Sequence, residues 1–125
     1  MTPVNITPVN TSKLTPEQYN ICFLKGTEPP GSGKYNHHFQ PGSYHCVVCG
    51  QKLFDSDTKY DSKTGWPAFW DTMPQSVKTA PDGNRTEVMC SNCGAHLGHV
   101  FADGPKDKSG QRYCINSLAL DFKPS

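Results

Sequence analysis

The sequence predicts a mainly β chain: a small β-barrel-like or two-sheet antiparallel fold with a short N-terminal helix and a four-cysteine metal clip. Three observations point there. From Tyr44 onward, short apolar runs are divided by turn residues. Eleven glycines and eleven prolines are spread through 125 residues, which disfavours a helical bundle. Two C-x-x-C pairs offer reinforcement to a chain whose hydrophobic fraction is only 34%. The length fits one domain. No stretch approaches the roughly 20 apolar residues of a membrane span. Met1-Thr2-Pro3-Val4-Asn5 has neither the basic nor the apolar region of a secretory signal, so a cytoplasmic protein without membrane attachment is expected. Twelve Lys and Arg against eleven Asp and Glu give +1, which excludes a polyanion binder driven by bulk charge; no nucleic-acid partner is expected.

Residues 1–12 hold a polar near-repeat, Thr2-Pro3-Val4-Asn5 and Thr7-Pro8-Val9-Asn10, and are expected to form a flexible tail ahead of a single domain over 13–125. Thr15 fits a helix N-cap, with Pro16 at the first helical position and Gln18 completing a capping box. That helix is expected to run to Lys25 and stop at Gly26, carrying Cys22 near its end. Glu28 to Gly33 reads as a loop. Strands are expected at Ser43–Val48, Gln51–Phe54, Glu87–Cys90, His96–Phe101, Gln111–Asn116 and Ser117–Phe122. In the last, Leu118, Leu120 and Phe122 alternate with Ala119 and Asp121, the period of a half-buried strand.

Six cysteines could form three disulfides, but their spacing favours a metal site. Cys46 and Cys49 make one knuckle, Cys90 and Cys93 the other, and each short turn aims two sulfurs at one point. Gly50 and Gly94 follow the second cysteine of each pair and supply backbone freedom there. Structural zinc is the expected occupant, with the forty residues between the pairs forming a substantial insertion. Two redox-active pairs are the rival, although neither has the βαβ context of a thioredoxin-like site. Zinc deaminases need an H-x-E element, which is absent, and a zinc-knuckle nucleic-acid module conflicts with the charge balance.

Cys22 and Cys114 stand apart from the knuckles. If Gln111–Asn116 is a strand, Arg112, Cys114 and Asn116 share a face, an unusual polar setting for a structural strand. Cys114 is then either a small buried hydrophobe or a reactive thiol whose thiolate the nearby guanidinium favours. His96 and His99 follow the second knuckle; three apart in a strand they face opposite sides unless Gly98 marks a bulge. His37 and His38 are expected to be solvated. In Gly65-Trp66-Pro67-Ala68-Phe69-Trp70, Phe69 and Trp70 suit the core, and Trp66 suits either the core or a pocket wall receiving a methyl group beside a polarised centre.

Lys25-Gly26-Thr27-Glu28-Pro29-Pro30, the two knuckles, Thr64-Gly65-Trp66-Pro67-Ala68-Phe69, Gly98-His99-Val100-Phe101 and Arg112-Tyr113-Cys114-Ile115-Asn116-Ser117 together resemble the methionine-R-sulfoxide reductases of the MsrB type, in their zinc-containing form, from Leu14 to Phe122. The resemblance implies a β-rich catalytic domain with one structural zinc on Cys46, Cys49, Cys90 and Cys93, remote from the active site. It implies reduction of methionine-R-sulfoxide, free or in proteins. Cys114 would attack the sulfoxide sulfur and become a sulfenic acid. His99 would polarise or protonate the oxygen, with His96 and Asn116 organising it; which histidine donates is left open. Arg112 would support the thiolate, and Trp66, with Phe101, would bind the substrate. Thioredoxin would be the reductant, and a monomer is expected. One position departs: many family members carry a resolving cysteine just before Gly-Trp-Pro, where this chain has Thr64. That leaves Cys22 as the candidate resolving thiol, forming a Cys22–Cys114 disulfide; the alternatives are packing beneath the helix and direct attack by thioredoxin on oxidised Cys114.

Overall fold

The structure, a computed structural model, describes residues 14–125. The tail expected over 1–12, and residue 13 at the expected boundary, lie outside the described residues. The elements run α1 (Pro16–Leu24), β1 (Gly42–Cys46), β2 (Lys52–Asp55), a 3-10 turn (Ser56–Thr58), β3 (Lys59–Tyr60), β4 (Ala68–Phe69), β5 (Val77–Asp82), β6 (Arg85–Cys90), β7 (His96–Phe101), β8 (Arg112–Ile115), a second 3-10 turn (Ser117–Ala119) and β9 (Leu120–Pro124). They make two antiparallel sheets, ordered β2-β1-β9 and β3-β4-β8-β7-β6-β5. Among the described residues neither sheet closes on itself, so the two-sheet alternative describes the fold. No helix among these residues is long and apolar enough to cross a membrane.

The capping box starts α1 as expected: Thr15 Oγ1 accepts from Gln18 N–H at 3.1 Å, and Gln18 Oε1 accepts from Thr15 N–H at 2.9 Å. The helix ends one residue earlier than expected, at Leu24, because Lys25 itself takes the left-handed position at φ 58°. Gly26 serves a different need: a Cβ there would lie 2.4 Å from the Asn20 amide nitrogen. The strand at His96–Phe101 has the expected bounds, and β1, β2, β6 and β8 overlap theirs. The strand expected at Ser117–Phe122 is a correction. Its first three residues turn instead, with Ala119 N–H bonded to Asn116 O at 3.0 Å, and the strand begins at Leu120. Unanticipated strands are β3, β4 and β5. The first two have two residues each, and β5 is an edge strand whose polar sequence carries Pro81, tolerable where no ladder donor is required.

Aromatic rings join the sheets. Phe54 of β2 stacks on Phe69 of β4 at 4.2 Å between centroids, and Tyr44 of β1 meets Phe69 edge-on at 5.2 Å. All three are fully buried. His38 belongs to this structure rather than to solvent: Tyr44 OH lies 2.8 Å from its Nδ1, and its ring packs on Phe122. With one face of the large sheet committed to this core, alternation sends the other side chains of β6, β7 and β8 to the opposite face.

The sheet leaves no room for a side chain at Gly98, which pairs with Ile115 across β7 and β8. A Cβ on Gly98 would sit 2.0 Å from the carbonyl oxygen of Cys114, an atom of the backbone that cannot rotate aside. Gly98→Ala should therefore destabilise the protein by about 2–3 kcal/mol, the upper range for forced overpacking. Urea denaturation checks this; an unchanged midpoint and slope would mean that the strands have room to separate.

Candidate active site

The antiparallel register builds the site. Cys114 of β8 lies directly opposite His99 of β7, and Arg112 lies opposite Phe101. Side chains two apart share a face, so these four converge, with Cβ atoms of directly opposed residues about 5 Å apart. On the other side of β8, Cys114 is paired with Ala68, which brings the preceding Trp66 alongside. A cavity of about 220 Å³ opens here, lined by Thr64, Trp66, His99, Phe101, Arg112 and Cys114, with Asn116 also contributing. Arg112, Cys114 and Asn116 thus do border one space.

Burial dominates the electrostatics of Cys114 and raises its pKa above the usual thiol value, outweighing the Arg112 charge and a Thr64 hydrogen bond that pull it down. Arg112 is not a free cation: Nε and Nη2 donate to the Asp103 carboxylate at 2.8 and 3.1 Å. Its guanidinium also lies 4.3 Å from the Phe101 ring centroid. The expected support of the thiolate is real in direction, but desolvation exceeds it, and the resting group is the thiol.

The histidines converge through a bulge. Val88 pairs with Gly98 but Met89 pairs with His96, so Leu97 is the extra residue and His96 rotates onto the His99 side. Their ring centroids are 5.5 Å apart. Each is held by a carboxylate that sequence reading did not single out. His99 Nε2 is 2.7 Å from Asp82 Oδ2, and His96 Nδ1 is 2.7 Å from Glu87 Oε2. Glu87 also meets Lys25 at 3.1 Å. Burial holds the His96 pKa below the usual imidazole range despite Glu87. Burial pushes the Glu87 carboxyl up, but the hydrogen bonds from His96 and Lys25 together overcome it and hold the group below the usual carboxylate range. His96 Nε2 has no partner among the described residues, and His96 does not line the cavity.

The bulge has a second use. Leu97 O accepts from Asn116 N–H at 3.0 Å and from Asn116 Nδ2 at 2.9 Å, which points Oδ1 the other way, to the N–H of Glu28 at 3.0 Å. The carbonyl of Glu28 in turn accepts from Trp66 Nε1 at 2.9 Å. Trp66 is therefore a pocket wall, while Phe69 is fully buried in the core and Trp70 is half-buried. The Glu28 loop was legible as a loop; its ties to Trp66 and Asn116 were not.

The sulfurs of Cys46, Cys49, Cys90 and Cys93 all lie within 4.8 Å of one another, with Cys46–Cys93 and Cys49–Cys90 both at 3.6 Å. A tetrahedral site with metal–sulfur bonds of about 2.3 Å has edges of about 3.8 Å, so the four fit one metal ion. Gly50 and Gly94 take φ of 84° and 80°, and their N–H groups close the knuckles on Cys46 O and Cys90 O at 2.8 and 2.9 Å. None of the four lines the cavity beside Cys114. Cys22 is also outside it: the side chain is 3% exposed beneath α1, and burial, with Cys90 nearby, pushes its pKa up to about 12.

Residues 14–124 match the SelR domain family. "Peptide methionine sulfoxide reductase MsrB" of Pseudomonas putida (strain W619) is 54% identical over 116 residues, 89% of this chain and 86% of that one. The protein of the same name from Methanosarcina barkeri is 53% identical, covering 88% and 80%. Mouse "Methionine-R-sulfoxide reductase B3, mitochondrial" is 51% identical over 90% of this chain and 46% of its own length. Among solved structures, the Mis18 "Yippee-like" domain matches with a TM-score of 0.54 at 19% identity, over 69% of this chain and 98% of that one, a likeness of fold alone.

Because burial disfavours the charged form, little Cys114 is thiolate at neutral pH, and its reactivity should climb into the alkaline range. Alkylation of Cys114 by iodoacetamide, followed by peptide mass spectrometry, should give an apparent pKa above the unperturbed 9.0. Arg112→Ala removes a favourable charge and should move that value further up. A value below 9.0 would mean that the charges, not the burial, control the thiol.

Proposed function

The chain belongs to the SelR domain family and is a methionine sulfoxide reductase, and on that basis we propose that it reduces the R epimer, free or in proteins, through Cys114 and His99 facing each other across β7 and β8. Asp82 accepts a hydrogen bond from His99 Nε2, which leaves Nδ1 as the nitrogen able to take up a proton. His99 removes the proton from the Cys114 thiol as sulfur attacks the sulfoxide sulfur, then returns it to the sulfoxide oxygen, a poor leaving group until protonated. In the four-substituted sulfur species that the attack forms, the hydroxyl passes from the substrate sulfur to Cys114 Sγ as the S–O and S–S bonds to the substrate sulfur break. Cys114 is thereby oxidised to a sulfenic acid and the sulfoxide is reduced to methionine. Trp66 and Phe101 receive the S-methyl group, Asn116 organises the oxygen's surroundings, and Arg112 limits the penalty of forming thiolate. His96, neutral and buried behind His99, orders that side of the pocket.

The remaining parts of the proposal concern reinforcement and recycling. The four knuckle cysteines hold one structural zinc, which supplies a folded anchor rather than chemistry. Thioredoxin supplies the reducing equivalents, the protein acts as a monomer, and its location is the cytoplasm. Cys22 is the proposed resolving thiol, attacking the sulfenic acid to release water and leave a Cys22–Cys114 disulfide that thioredoxin reduces by exchange. This demands that α1 open, since Cys22 lies in the core. That burial favours a second reading, in which an external thiol attacks oxidised Cys114 directly through the cavity.

Two experiments test these readings. Incubated with dithiothreitol and racemic methionine sulfoxide, the protein should consume the R epimer only, and Cys114→Ser should lose turnover by several orders of magnitude while keeping one zinc per chain. Turnover of the S epimer alone, or full activity in Cys114→Ser, would sink the assignment. For recycling, peptide mapping after one turnover should find a Cys22–Cys114 bridge, and Cys22→Ser should accumulate sulfenic acid and lose thioredoxin-supported cycling. No bridge, with cycling intact in Cys22→Ser, would establish direct attack.

A further inference from the structure

Glu28 is an acidic residue in a glycine- and proline-rich loop, yet it is 3% exposed. Buried carboxylates are costly unless every oxygen is partnered. Here Oε1 accepts from the N–H of Leu118 at 3.0 Å, while Oε2 has no partner among the described residues. The loop is closed over it: a Cβ on Gly33 would lie 2.2 Å from Oε2 and 2.1 Å from Ser117 Oγ. The Leu118 N–H asks only for an acceptor, and the geometry shows what that anchor holds in place. The same residue's main chain supplies the 3.0 Å bond to Asn116 Oδ1 and the 2.9 Å bond from Trp66 Nε1. A second tie holds the loop at Gly65, whose carbonyl accepts from Gly31 N–H at 2.7 Å.

We propose that Glu28 is a positioning residue for the sulfoxide pocket: its carboxylate, anchored on the Leu118 amide, pins the loop whose backbone aims the Trp66 indole and the Asn116 amide. The side chain reaches across 90 positions in sequence to the turn that follows the strand of Cys114. It therefore couples the pocket wall to the nucleophile's strand without touching substrate itself. The bend at Ser117–Ala119 is part of the same device, since a continuous strand would not present the Leu118 N–H to this loop. The inference rests on the reading of Trp66 and Asn116 as substrate-facing groups.

The test separates positioning from folding. Glu28→Ala should raise KM for methionine-R-sulfoxide on the order of 10–100-fold, the scale of a misplaced binding group, with a much smaller change in kcat. Iodoacetamide alkylation of Cys114 should not fall below the parent rate, since removing the Glu28 charge can only ease thiolate formation. Glu28→Gln, which keeps the acceptor, should restore most of the loss. In a Trp70→Phe background, leaving Trp66 as the single indole, Glu28→Ala should increase acrylamide quenching of its fluorescence. Unchanged KM and quenching in folded Glu28→Ala would overturn the proposal. So would a KM defect that Glu28→Gln does not relieve. Should Glu28→Ala fail to fold, Glu28→Asp keeps the acceptor on a shorter reach and is read by the same two measurements. Trp66→Ala runs beside them: an unchanged KM there would remove Trp66 from substrate binding, while the quenching result would still report whether Glu28 holds the indole.

Discussion

The pairing of β7 with β8 at Gly98 is the contact on which the site depends. The absent side chain lets the Cys114 carbonyl come within the space a Cβ would occupy, and that closeness fixes the register that sets His99 opposite Cys114. A slip of one residue would send Cys114 into the core and Tyr113 into the cavity, because alternation leaves no intermediate arrangement. The bulge at Leu97 works with this constraint. By inserting one residue it turns His96 toward His99 and frees a carbonyl that accepts two bonds from Asn116. Register and bulge together convert a plain ladder into a constellation of one thiol, two imidazoles and one amide.

Around that constellation, three carboxylates each hold a basic or imidazole side chain. Asp103 takes both prongs of Arg112, Asp82 takes His99, and Glu87 takes His96 and Lys25. Pairs of this kind orient the side chains they join, while burial is the largest influence on Cys114 and raises its pKa. A thiol that rests protonated is protected from adventitious oxidants, whose reaction needs the thiolate. Under the proposed mechanism, activation belongs to the moment when substrate fills the cavity with His99 across the strand.

Much of this was legible in the sequence, for identifiable reasons. The capping box at Thr15, the two knuckles and the alternation around Cys114 are local patterns, and each has one dominant structural solution. What escaped reading was non-local. Asp82 sits on an edge strand with no hydrophobic period, and Glu87 lies in a strand where an acid on the solvent side is unremarkable. Only the sheet order reveals that both face histidines. The last strand misled for a similar reason: Leu118, Leu120 and Phe122 have the right spacing, but the Leu118 amide is claimed by Glu28, far away in sequence. A distant hydrogen bond overrode a local period.

The six cysteines divide by environment, which separates the thiol of the pocket from the clustered sulfurs of the knuckles. Four converge at the ends of β1 and β6, where paired turns and positive-φ glycines leave no geometry but a shared one. Cys22 is sealed under α1 among Ile21 and the other core side chains, so its thiol behaves as a small hydrophobe while the helix stays docked. Cys114 lines the cavity between Trp66 and His99, with Thr64 beside it where a neighbouring thiol could have reached it. The consequence is mechanical. No other cysteine lines that cavity, so if Cys114 is oxidised as proposed, its recovery requires either that α1 move or that a reductant enter the cavity. The first route, as proposed, would have to undock Ile21 and Cys22, the two buried side chains of α1.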